Sequence, residues 1–183
     1  MNKLCGCTVY LSGPMQYAKD KGIEWRQKLI PFLKSMNMII LDPTNKPDMC
    51  NLKEDAGYVN KLNELKKLKQ YKKLSKEVRK IRSVDLRMTD LANIGIFYIN
   101  IQIPTFGTLE ELFTMNRSKK VCLIMSEGGL NKLPLWLWGT NYFEHNFGDW
   151  KSLRNYLTNI NMGTISDKSR RWWFFDFKKL SVG

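Results

Sequence analysis

Apolar positions fall into short, nearly continuous runs: Leu4 to Leu11, Met38 to Leu41, Ile94 to Ile99 and Val121 to Met125. Each run has the length of a strand and mostly lacks alternation, the pattern of strands covered on both faces. Between them, apolar residues recur at helical spacing over Ile23 to Met36 (Ile23, Ile30, Leu33), Val84 to Ala92 and Leu109 to Arg117. Strand and helix in alternation predict a doubly wound α/β domain, a mainly parallel five-stranded sheet of flavodoxin or Rossmann-like type with helices on both faces. Ligands of such sheets bind beyond the carboxyl ends of the strands, near the point where strand order reverses. The loops after Leu11, Leu41, Ile99 and Met125 are therefore the ones to watch.

Two segments exceed a minimal domain of this kind. In 52–82, apolar Leu62, Leu65, Leu68, Tyr71 and Leu74 recur every three positions, so their stripe rotates around a helix instead of holding one face. The pattern predicts an inserted basic helical arm, continuous or interrupted, resting on the domain or on another subunit, or else a solvated helix serving only solubility. Residues 134–183 form an aromatic-rich C-terminal extension, with Trp136, Trp138, Tyr142, Phe143, Phe147, Trp150 and the run Trp172 to Phe175. Asp149 to Ile160 reads as a helix and Trp172 to Phe177 as the last strand. Aromatics at this density point to core or subunit interface ahead of a base-stacking platform.

Composition narrows the chemistry. With 183 residues the chain is long enough for one self-sufficient domain. Thirty Lys and Arg against 17 Asp and Glu leave a net charge of +13, which calls for an anionic substrate or partner. Much of it is local: Lys53 through Arg87 hold twelve basic and five acidic residues, a net of +7. His145 is the single histidine, so a zinc site of several imidazoles and a two-histidine phosphotransfer are excluded. Cys5, Cys7, Cys50 and Cys122 show no CxxC spacing and follow no secretory leader, which favours a reducing, cytoplasmic setting and a core role. The longest uncharged stretch, Leu91 to Leu109, carries Asn93, Asn100, Gln102, Pro104 and Gly107, so no membrane span is expected.

Three motifs carry candidate chemistry: Val9-Tyr10-Leu11-Ser12-Gly13-Pro14-Met15, Asp85-Leu86-Arg87-Met88-Thr89-Asp90 ahead of the run from Ile94, and Gly107-Thr108-Leu109-Glu110-Glu111-Leu112. In the first, Gly13 lets backbone approach a ligand and Pro14 stiffens the exit. The dinucleotide glycine pattern and the Walker lysine are both missing. In the third, Thr108 and Glu111 have capping-box spacing. Alternatively, Glu111 stands in a first helical turn, where the dipole favours the ionised carboxylate that a nucleophile at a sugar carbon requires. Asp85 reads either as a helix-start acid or partner of Arg87, or as a functional acid.

In this order the three motifs resemble those of the nucleoside 2-deoxyribosyltransferase family, which includes hydrolases of nucleoside monophosphates. The likeness covers about residues 8 to 15 and 83 to 126. It implies Glu111 as the nucleophile, Asp85 as the base-side acid, and Tyr10, Gly13, Pro14, Gly107 and Thr108 at the substrate. Pro104-Thr105-Phe106 stands where many members carry an acid, and Phe113 and Met115 replace small residues. A 5′-phosphate held by Ser12, the backbone near Gly13, Arg26 or Arg87 could take over the missing sugar contacts. The implied reaction is a retaining double displacement at the N-glycosidic bond of a nucleoside or nucleotide, by transfer or hydrolysis, with no cofactor and no metal. It also implies a homo-oligomer, with arm and tail as interface candidates and the aromatic tail as a lid. Two other readings stay open: a nucleotide-binding module without chemistry, and a nucleic-acid-binding protein, which the charge permits and the motifs disfavour.

Overall fold

The computed structural model describes residues 2–46, 52, 56–165 and 167–172. Strands β1 (Thr8–Ser12), β2 (Ile39–Leu41), β3 (Ile94–Ile99), β4 (Val121–Ser126) and β5 (Asn146–Phe147) form one sheet of order β2-β1-β3-β4-β5. Every pairing is parallel, as the unalternating runs require. This is the flavodoxin-like order, and it reverses between β1 and β3, where Ser12 lies opposite Phe97.

Helices α1 (Ile23–Ser35) and α6 (Trp150–Met162) cover one face, while α3 (Tyr71–Leu91), α4 (Phe106–Arg117) and α5 (Leu135–Thr140) cover the other. The first layer buries Val9, Leu11, Leu29, Leu33, Ile96 and Leu123, and the second buries Tyr10, Phe97, Met88, Leu112, Met115 and Ile124. The alternation of side chains along β1 therefore sends Tyr10 and Ser12 to the α4 face and Leu11 to the α1 face. Gly95 in β3 sets how closely α4 approaches: a Cβ there would lie 2.4 Å from the Phe97 ring and 2.9 Å from the Met115 sulfur.

The arm is helical and interrupted. Helix α2 (Ala56–Lys67) turns through Leu68 to Gln70, with Lys69 in the left-handed region at φ 55, into α3. Helix α3 also absorbs the stretch Val84 to Ala92, which the spacing alone had made a separate helix. Only at its far end does α3 enter the core, through Met88 and Thr89, and no described side chain from Gly57 to Arg87 is buried. The Tyr58 hydroxyl donates to Glu77, tying α2 to α3, and Arg82 Nε donates at 2.9 Å to Glu110, tying α3 to α4.

The fifth strand differs from the expected one. Asn146 and Phe147 pair with Ile124 and Met125, a two-residue contact too short to leave a periodic signal. Trp172 lies in a turn, and 173–177 fall outside the described residues, as does Cys50. Helix α6 starts where expected because Asp149 Oδ1 accepts the Ser152 amide at 2.8 Å. Among the described tail aromatics, Trp150 stacks on Trp25, and Tyr156 packs against Phe147 and Trp172, on the sheet face opposite α4, whereas Trp136, Tyr142 and Phe143 are exposed. Among the described residues no helix is long and apolar enough to cross a membrane.

Candidate active site

At the carboxyl end of β1, helix α4 brings one carboxylate to two strand side chains. Tyr10 and Ser12 are two residues apart on β1 and point to the same face. The Tyr10 hydroxyl donates to Glu111 Oε1 at 2.9 Å, and the Ser12 hydroxyl donates to Oε2. Both donors are buried. Each oxygen of Glu111 is thus fixed by a separate hydroxyl, and among the described residues no side-chain cation forms an ion pair with it.

The capping-box reading of Thr108 and Glu111 does not hold. Helix α4 begins at Phe106 with Thr105 in the cap position, so Thr108 is a buried residue of the first turn and Glu111 belongs to the second. The helix starts three residues earlier than the capping box required, and Glu111 faces inward to the β1 hydroxyls. The expected ionisation at a helix dipole also gives way to a different balance. Burial raises the Glu111 pKa to about 7, and the Asp85 charge adds to the rise, while Ser12, Tyr10 and the Arg26 charge oppose it. The same burial, with Glu111 close by, pushes the Tyr10 hydroxyl well above its usual value, so it remains a donor.

Asp85 is neither a helix-start acid nor the partner of Arg87. It lies in the penultimate turns of α3, and Lys46 Nζ meets its Oδ1 at 2.8 Å. Lys46 Nζ also donates to Pro43 O at 2.9 Å. The sequence reading missed Lys46, although it sits in the loop after Leu41, one of the four carboxyl-end loops. Arg87 is exposed, two residues and so about 200° around the helix from Asp85.

Arg26 is 1% exposed and works inside the fold. Its Nη2 donates to Leu11 O at 3.1 Å and its Nη1 to Gly22 O at 2.6 Å, while Nε lies 3.3 Å from Asp42 Oδ1. It thereby secures the end of β1 and the start of α1. Of the side chains offered as alternative phosphate holders, Ser12 is directed at Glu111, Arg26 is buried and Arg87 faces solvent, so the three are not brought together. Gly13 and Pro14 are buried. A Cβ on Gly13 would lie 3.0 Å from the Trp25 ring, and one on Gly22, at φ 72, would lie 2.2 Å from Pro14 O, so this loop is closed by packing. Gly107 differs: among the described residues nothing lies within 4 Å of a Cβ there.

The fold and the site together define a flavodoxin-like α/β domain with a half-buried, doubly hydrogen-bonded carboxylate at its switch point. No protein-family model matches the chain, and no curated protein matches it. Solved structures do. The 2-deoxyribosyltransferase from the psychrotolerant bacterium Bacillus psychrosaccharolyticus aligns with a TM-score of 0.52 at 16% identity, over 81% of this chain and 91% of that one. The likeness is one of fold. A 2-desoxiribosyltransferase from Leishmania mexicana aligns with a TM-score of 0.44 at 18% identity over 79% of each chain. The CMP N-glycosidase BcmB of Clostridium botulinum aligns at 0.46 and 14%, over 85% of this chain and 98% of that one.

Proposed function

We propose that this chain cleaves the N-glycosidic bond of 2′-deoxynucleosides or their 5′-monophosphates through a covalent glycosyl–Glu111 intermediate. The observation that carries the reading is the pair of hydroxyls on Glu111. Tyr10 and Ser12 orient a carboxylate whose pKa, about 7, leaves it available as an anion near neutrality yet poorly solvated. Its motif partners from the sequence resemblance, β1 and α3, are its neighbours in space.

In the first step a Glu111 oxygen bonds to C1′ as the C1′–N bond breaks, and the bonding pair leaves with the base. The departing nitrogen takes a proton from the side of Asp85 and Lys46. In the second step a new base or water attacks C1′, the ester bond breaks, and the proton lost by the attacker restores the Asp85–Lys46 pair. A base as acceptor gives transfer, and water gives hydrolysis. Proton supply of this kind contributes about 10² to 10⁴ in rate, so losing Asp85 costs less than losing Glu111.

We also propose a homo-oligomer whose subunits cover the open side of the site. Phe106 and Trp136, 81% and 80% exposed, are large apolar side chains at the starts of α4 and α5.

The test incubates the protein with deoxynucleosides and their monophosphates, with and without excess free base, and separates the products by chromatography. The reading expects base release or exchange that Glu111→Gln reduces by more than about 10³ while the variant stays folded. Turnover unchanged in that variant contradicts it.

A further inference from the structure

The α2–α3 hairpin contributes nothing to the Glu111 site beyond Asp85, yet it carries the strongest charge in the molecule. Residues 56–91 hold eleven basic and four acidic residues, a net of +7. The charge is densest at the tip, where residues 66–76 contain Lys66, Lys67, Lys69, Lys72, Lys73 and Lys76 and no acid. All six are exposed. Two of the hairpin's four carboxylates are engaged elsewhere, Glu77 with Lys61 and Lys80 and Asp85 with Lys46, while Glu64 and Asp90 form no ion pair among the described residues. Among the described residues, no carboxylate lies within ion-pairing distance of the six tip lysines.

Local stability does not explain this arrangement. Lys66 and Lys67 end α2, where cations suit the helix dipole. Lys72 and Lys73 open α3, where the same dipole disfavours them, and the first turn of α3 has no acid to compensate. Six unneutralised like charges on a two-helix projection also repel one another. Between the two lysine groups along the chain stand Leu68 and Tyr71, 63% and 60% exposed, so the tip presents an apolar and an aromatic side chain together with the lysines. Lysines tracking a backbone around an exposed aromatic side chain match the chemistry of an unpaired nucleic-acid strand, with phosphates on the ammonium groups and a base on Tyr71.

We propose that the tip of the α2–α3 hairpin binds single-stranded nucleic acid, separately from the Glu111 site. The test measures fluorescence anisotropy of a labelled oligothymidylate with the full chain, as a function of salt. The wild type binds at about 50 mM salt and weakens steeply as salt rises. Replacing Lys66, Lys69, Lys72, Lys73 and Lys76 by Gln lowers affinity by at least about tenfold and flattens the slope of log affinity against log salt by about 3.5, from roughly 0.7 per phosphate contact. Tyr71→Ala weakens binding about fivefold or more and leaves the slope unchanged. Circular dichroism and the base-release assay verify that the variants are folded. The proposal is overturned by a wild type that ignores the oligonucleotide at low salt, by a five-Gln variant with the wild-type slope, or by lysine-dependent binding to phosphatidylserine vesicles in place of the oligonucleotide.

Discussion

At Glu111, burial and hydrogen bonding act in opposite directions, and burial wins: the carboxyl is pushed up to about 7 despite two hydroxyl donors and a nearby guanidinium. Such a carboxyl is ionised only as pH passes through that value, so kcat/KM for base release rises with pH and levels off above about 7. Tyr10→Phe removes one of the donors that favour the ionised form. The expected result is an upward shift of this midpoint with a loss of about 10- to 100-fold at neutral pH, read from a pH–rate profile. A profile with its midpoint unmoved would detach Tyr10 from the carboxylate. The stability consequence has the opposite sign. A folded pKa above the unfolded one means that the native state binds the extra proton, so stability is lost as pH rises through 7. At pH 8, Glu111→Gln, which keeps partners for both β1 hydroxyls, should raise stability by on the order of 2 kcal/mol in urea denaturation.

Among the elements, α4 matters most, because its approach to the sheet brings Glu111 to β1. Gly95 permits that approach. Gly95→Ala forces the Phe97 ring and the Met115 sulfur to move, at a cost of about 1 to 3 kcal/mol measured by urea denaturation, and lowers base release along with it. Four of the five strands were legible in the sequence, since a strand buried on both faces is a plain apolar run. β5 was not, because two paired residues have no period. The site was legible in part. The order of motifs singled out Tyr10, Ser12, Asp85 and Glu111, and β1's alternation accounts for Tyr10 and Ser12 sharing the face that meets Glu111. The ionic contacts were not: Lys46 pairs with Asp85 at a sequence separation of 39, and Arg26 with Asp42 by way of the end of β1, couplings that only the fold creates. Arg26 shows how charge misleads in a sequence, because a cation that looks ready for phosphate is consumed by the carbonyls of Leu11 and Gly22.

For the molecule as a whole, charge and apolar surface are segregated. The positive hairpin tip is the proposed nucleic-acid surface, while Phe106 and Trp136 mark the proposed subunit contact near the open end of the site. Phe106→Asp should shift the mass found by light scattering toward the monomer and reduce base release; an unchanged mass places the contact elsewhere. The proposed chemistry nonetheless rests on a single bond between a Glu111 oxygen and C1′. Mass spectrometry of protein quenched during reaction with a slow 2′-fluorinated nucleoside tests that bond most directly. The peptide containing Glu111 is predicted to gain the mass of the fluorinated sugar, and to lose it when a free base is added. Continued base release with that peptide unmodified would contradict the account.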